Sequence, residues 1–150
     1  MITFNESINF EVAVTAIAAA QLPGVALVVD PAGKVATAAA GASAGAGFDA
    51  LLISEVVDAT TYLQRYYIYT EIDFGPYVQI GEMVSVAKGW RGLTVNGLKL
   101  VSPAAALALG AQLEIAAGGQ FQLKSANPAV GRVIEASALN ALYSNAVHLY

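Results

Sequence analysis

The chain contains no cysteine, a single histidine and a single tryptophan. Without cysteine there is no disulfide scaffold, no thiolate metal site and no cysteine nucleophile. With only His148, a Ser-His-Asp triad or a histidine-rich metal site would have to be built on a residue two positions from the last. His148 alternates with Val147 and Leu149, which reads as a surface or interface position on a strand. Charge is also scarce. Only 12% of residues are Asp, Glu, Lys or Arg, against about 25% in an average globular protein. The seven basic residues are scattered and the formal net charge is −4, so no face can gather the cations that a nucleic-acid surface needs. No H-E-x-x-H, EF-hand or P-loop spacing occurs, and no lysine follows the glycine-rich run Gly41 to Gly47. Glu71 and Asp73 share one face of a strand, where a solvated face is the simplest reading. These absences point away from catalysis, cofactors, bound metals and nucleic acid.

Long apolar spans are missing too. The uncharged stretch Val12 to Val29 contains Gln21, Pro23 and Gly24, is preceded by Glu11, and owes much of its hydropathy to alanine. It makes a poor membrane span or signal sequence. A protein made and used in the cytoplasm is the expectation.

What the sequence does have is apolar bulk in short pieces. The hydrophobic fraction is 57% of 150 residues, enough for one domain with a core of its own. Much of it is alanine, in runs such as Ala18 to Ala20 and Ala104 to Ala106. Combined with so few charges, it leaves a surface suited to being covered by a partner. Met1 to Glu11 alternates weakly through Ile2, Phe4, Ile8 and Phe10, predicting an extended N-terminal arm or an edge strand over 1–11 ahead of a single β-rich domain over 12–150. Those four apolar residues are candidate contacts, since an arm of this kind can add a strand to a neighbour's sheet.

Glycine-bounded strands follow. Val25 to Val29 leads through Asp30-Pro-Ala-Gly33 into Lys34 to Thr37, a hairpin in which Pro presets one turn dihedral and Gly supplies the positive one. Gly81 to Gly89 and Gly110 to Gly118 match position by position, each expected to pair across its turn, with Arg91 to Val95 and with Gln120 to Lys124. Three uses of one hairpin predict a mainly β fold, a small β-barrel or sandwich built from hairpins. Asn96-Gly97 marks a further turn between Gly92 to Val95 and Leu98 to Val101. The low-complexity run Ala38 to Gly47 reads as a long surface loop, and Phe48 to Val57 as a buried strand. At most one or two short helices are expected, over Ser102 to Leu109 and Ser137 to Asn145. Asn145 to Tyr150 reads as a closing strand.

Aromatic residues cluster at Tyr62, Tyr66, Tyr67, Tyr69, Phe74 and Tyr77, with Trp90 alone on a turn. Tyr and Trp bury large areas at low rotamer cost, which makes Tyr67, Tyr69 and Trp90 candidate interface anchors. For Trp90 the alternative, folding back onto its own domain, stands level with the first.

Two stretches, LVVDPAGKVATAAAGA from Leu27 and the C-terminal Gly110 to Gln120 with Asn127-Pro-Ala-Val-Gly-Arg-Val-Ile-Glu-Ala-Ser137, resemble the capsid decoration, or cement, proteins of tailed bacteriophages. The tyrosine-rich segment Tyr62 to Ile80 departs from that pattern. The resemblance implies a virion structural protein on the outer capsid surface, made in the host cytoplasm. Its partners would be the major capsid protein and copies of itself, as a trimer or a dimer. It implies no cofactor and no catalysis. A structural or adhesive β module of another virion part, such as the tail or a spike, fits the same composition. A small hydrolase or sugar-binding enzyme is the remaining class, and it lacks the positioned acid and base such work requires.

Overall fold

The structure, a computed structural model, describes residues 2–58 and 77–150. In chain order its strands are β1 (Thr3–Phe4), β2 (Asn9–Val14), β3 (Ala26–Val29), β4 (Val35–Thr37), β5 (Ser43–Ala44), β6 (Gly47–Phe48), β7 (Ala50–Leu52), β8 (Glu55–Val57), β9 (Tyr77–Gln79), β10 (Met83–Lys88), β11 (Thr94–Asn96), β12 (Gln112–Ile115), β13 (Phe121–Leu123), β14 (Gly131–Val133) and β15 (Val147–Leu149). The fold is mainly β, as expected. Its antiparallel sheets pack as a sandwich, not as a closed barrel. Among the described residues the only helix is the 3-10 turn Ala117–Gly119.

One sheet has six strands in the order β1-β11-β15-β14-β12-β13, and the other five in the order β2-β10-β7-β3-β4. The short pairs β5-β6 and β8-β9 are parallel. Period-two alternation decides which side chains meet. From the six-stranded sheet, Val95, Leu113, Ile115, Phe121, Val133, Val147 and Leu149 enter the main core, where they join Ala26, Leu51 and Ala87 of the other sheet. The opposite face of the five-stranded sheet carries a second core of Leu27, Ala50, Leu52, Val84 and Val86. That core is covered by Ile17 and by Val56 and Val78 of the β8-β9 pair. The middle of the five-stranded sheet is thus buried on both faces, and its strand β7 reads as a continuous apolar run.

Small residues set the approach of the two sheets. Gly119 holds φ +73, and a Cβ there would run into the carbonyl of Ala26 on β3. The turn after β12 is thereby pressed against the other sheet, a contact open only to glycine.

Two of the three expected hairpins form: β3 pairs β4, and β12 pairs β13. The middle one does not. β10 pairs β2 and β7, while β11 pairs β1 and β15 in the other sheet. The cause is Trp90, which is buried at 3% exposure and stacks on Phe48 with ring centroids 3.8 Å apart. Its burial draws the chain across the sandwich between two positive-φ glycines, Gly89 and Gly92. Asn96-Gly97 likewise does not close a hairpin: Lys99 bridges Tyr143 and Leu100 bridges Phe121.

The stretch Ala38 to Gly47 is not simply a surface loop. Ala38 and Ala42 are buried and the Gly41 N–H donates to the Ile115 carbonyl. Its small side chains let it thread the core. The two proposed helices are absent. Leu107 and Ser137 pair as a bridge instead, and segments of eight or nine residues cannot sustain a helix alone. The closing strand is present as β15, between β11 and β14.

Candidate protein-binding surface

The N-terminal segment is less free than an arm. Ile2 is 9% exposed in the main core, β1 pairs with β11, and β2 runs across the expected boundary at residue 11 to pair along its whole length with β10. Ile2 is therefore a core residue. Phe4 and Ile8 are half-buried against the main core. Phe10 is exposed, its ring edge-on to Phe4 at 6.3 Å. Trp90 takes the second of its two readings: it is buried, and its indole N–H donates to the Asp49 carbonyl at 3.3 Å. Tyr67 and Tyr69, like Glu71 and Asp73, lie outside the described residues.

The surface feature that stands out is the outer strand of the five-stranded sheet. Phe10 (58% exposed), Val12 (63%) and Val14 (45%) alternate along β2 and share one face, and Met83, directly opposite Val14 on β10, is also exposed. Elsewhere on this sheet the same face is covered by the six-stranded sheet, so the strip is where the cover stops. On the other face of β2, Glu11 pairs with Lys88 at 2.8 Å. Sequence reading found Phe10 and missed Val12, Val14 and Met83. The alternation was visible, but placing a boundary at residue 11 cut it in two.

A second apolar area is carried by the segments joined at the Leu107–Ser137 bridge, where Leu109, Leu139, Leu142 and Ile134 are exposed. Next to it a shallow cleft of about 190 Å³ is lined by Leu100, Pro103, Ala104 and Phe121.

The polar groups of the six-stranded sheet do structural work. Glu114 is 1% exposed and its carboxylate accepts five hydrogen bonds. The donors are the backbone N–H groups of Ser125 (2.9 Å) and Asn127 (2.8 Å), Gln122 Nε2 (2.8 Å), Ser125 Oγ (3.2 Å) and Asn127 Nδ2 (3.4 Å). These bonds, led by the Ser125 N–H, outweigh desolvation and hold its pKa down at about 2. The carboxylate pins the loop after β13 over the sheet. Lys99, 6% exposed, donates from Nζ to the Leu100 carbonyl, and burial lowers its pKa. Burial, and secondarily the charge of Glu55, raises that of Tyr143. His148 is half-buried, with Thr94 and Arg132 as its neighbours across the sheet and Tyr150 edge-on at 6.3 Å. That row offers no carboxylate to orient the imidazole as a base.

Among the described residues no cluster of three His, Asp or Glu side chains could hold a metal ion, and no helix is long and apolar enough to cross a membrane. The sequence matches no protein-family model, and no curated protein is significantly similar to it.

Proposed function

We propose that this chain is a virion structural protein that binds the outer surface of a tailed-phage head and stabilises the shell of the major capsid protein, without catalysis. The observation that carries this reading is the concentration of exposed large apolar side chains in two areas, the β2 strip and the Leu109/Leu139/Leu142 area, on a protein that has few charges anywhere. Surfaces of this kind are covered by protein partners. The resemblance of the β3-β4 hairpin and of Gly110 to Ser137 to decoration proteins supplies the partner. A stiff two-sheet sandwich suits the mechanical task, since each copy would bridge neighbouring capsid subunits and resist pressure from packaged DNA.

The test is decoration itself. Purified protein is mixed with expanded heads lacking it, washed, and imaged by electron microscopy. The reading expects a regular lattice over the head. It also expects retention when salt is raised to about 1 M, where the Debye length is only about 3 Å and apolar contacts are little weakened. Binding confined to the tail would favour a tail or spike module, and no binding to either would end the virion reading.

A further inference from the structure

We infer that the outer face of the six-stranded sheet docks an extended, acidic segment of a partner protein, whose carboxylates meet a row of hydrogen-bond donors centred on Arg132. The inference stands apart from the capsid reading, because it rests on charge and not on the two apolar areas.

The charges of the chain are divided unevenly. Residues 1–88 hold nine acids and three Lys or Arg, whereas residues 89–150 hold two acids, Glu114 and Glu135, and four Lys or Arg. The second stretch is therefore basic in a protein whose net charge is −4. Alternation decides which of its groups share a face. Val95, Val147, Val133 and Leu113 point into the main core, so Thr94, His148, Arg132 and Gln112 point out. The registers set them in one row across the sheet: Thr94 opposite His148, His148 opposite Arg132, and Arg132 opposite Gln112. The Lys124 N–H donates to the Gln112 carbonyl, which extends the row to Lys124 at the end of β13. Cα atoms of such neighbours lie about 4.5–5.5 Å apart, so His148 to Lys124 covers about 15 Å.

Every side chain in the row carries a donor. Arg132 and Lys124 are exposed, and neither makes an ion pair with an acid among the described residues. Glu114 shares the face, two residues along β12 from Gln112, but it is buried and its oxygens are taken by Gln122, Ser125 and Asn127. Glu135 follows Arg132 three residues further along the chain. The row is thus a set of cations and donors whose acceptors are not supplied by its own sheet.

A row about 15 Å long is too wide for one small anion. An extended chain presents alternate side chains about 6.5–7 Å apart on one face. Acids at every second position can then serve Arg132 and Lys124 together, with His148 and Gln112 donating between and beside them. Two such cations and one histidine neutralise too few phosphates to hold a nucleic acid, and the acidic first stretch of the chain repels a long polyanion. A short acidic protein segment suits both the number of cations and their spacing.

The probe is a short peptide of alternating Glu and Thr, blocked at both ends and titrated into the full chain while backbone amide shifts are read by NMR. It should move the amides of Thr94, His148, Arg132 and Lys124. Its affinity should fall as salt rises from about 0.01 M to about 0.1 M, over which the Debye length contracts from about 30 to about 10 Å. Arg132→Gln and Lys124→Gln, both at exposed positions, should each weaken binding about threefold and together about tenfold. Lys34→Gln removes the same charge beside the β3-β4 turn and should bind as the wild type does. No binding at the lower salt, shifts confined to other faces, a loss in Lys34→Gln equal to that in Arg132→Gln, or tighter binding of an oligothymidylate than of the peptide would each overturn the inference.

Discussion

Replacing Glu114 by glutamine tests whether a buried carboxylate holds the β13 loop in place. Glutamine keeps the shape and one acceptor oxygen, so the Ser125 and Asn127 N–H groups still have a partner. Gln122 and Asn127 can turn their amides to meet the new NH2. What is lost is the charge that strengthens all five bonds. The folded pKa of about 2 lies below the ordinary glutamate value of 4.5. At about 1.36 kcal/mol per unit, that gap corresponds to roughly 3 kcal/mol of stability at neutral pH. The depressed folded value sets the sign. The contribution is complete above about pH 4.5, declines as pH falls, and is gone below about 2. The variant should therefore be about 2–3 kcal/mol less stable at pH 7, about 5–10 °C in melting temperature for a domain of this size. The difference should close as pH is lowered from 5 toward 2, because protonated Glu114 is as neutral as glutamine. Urea unfolding of both proteins, followed by the fluorescence of the lone buried Trp90 at several pH values, measures this directly. Two curves separated by a constant amount at every pH, or coincident at pH 7, would refute the reasoning.

Other expectations follow from single contacts. Trp90→Ala empties the space against Phe48 and should cost about 3–5 kcal/mol of stability, read by thermal melting; a cost near zero would return Trp90 to the surface. Gly119→Ala combines a positive φ with a collision at the Ala26 carbonyl and should cost about 2–4 kcal/mol in the same assay. Lys99→Met keeps the buried stem and removes a desolvated charge, so it should leave the protein as stable or up to about 1 kcal/mol more so. Because the folded pKa of Lys99 is lowered, wild-type stability rises with alkaline pH and the advantage of the methionine should shrink there. Removing residues 1 to 10 takes away β1, the core residue Ile2 and the start of β2, and should lower the melting temperature; an unchanged value would mean that the segment is an arm after all.

The β class, the β3-β4 and β12-β13 hairpins and the closing strand were legible because local signals set them: a Pro-Gly turn, glycine-bounded alternation, and a final alternating run. Pairing between distant segments was not. Nothing near Gly89 distinguishes a reversal from a crossing between sheets; the decision belongs to Phe48, some 40 residues earlier, whose ring offers Trp90 a stacking partner. Ala38 to Gly47 reads as a flexible loop by composition, yet its smallness is what lets it pass between β4 and β6 with Ala38 and Ala42 buried. Glu114 was one acid among eleven, and the donors that bury it come from a loop with no motif of its own.

The candidate surface shows the same limit from the other side. A strand reading Asn-Phe-Glu-Val-Ala-Val contains the whole description of its apolar face, and alternation alone places Phe10, Val12 and Val14 together. Sequence cannot tell whether that face looks into the protein or out of it, since a half-buried strand and an exposed edge strand have the same period. The deciding fact is exposure: Phe10, Val12 and Val14 stay exposed on the face that the six-stranded sheet covers elsewhere. A face of this composition would lower the free energy of the monomer if turned inward. Left exposed, it gains that stabilisation only when a partner covers it.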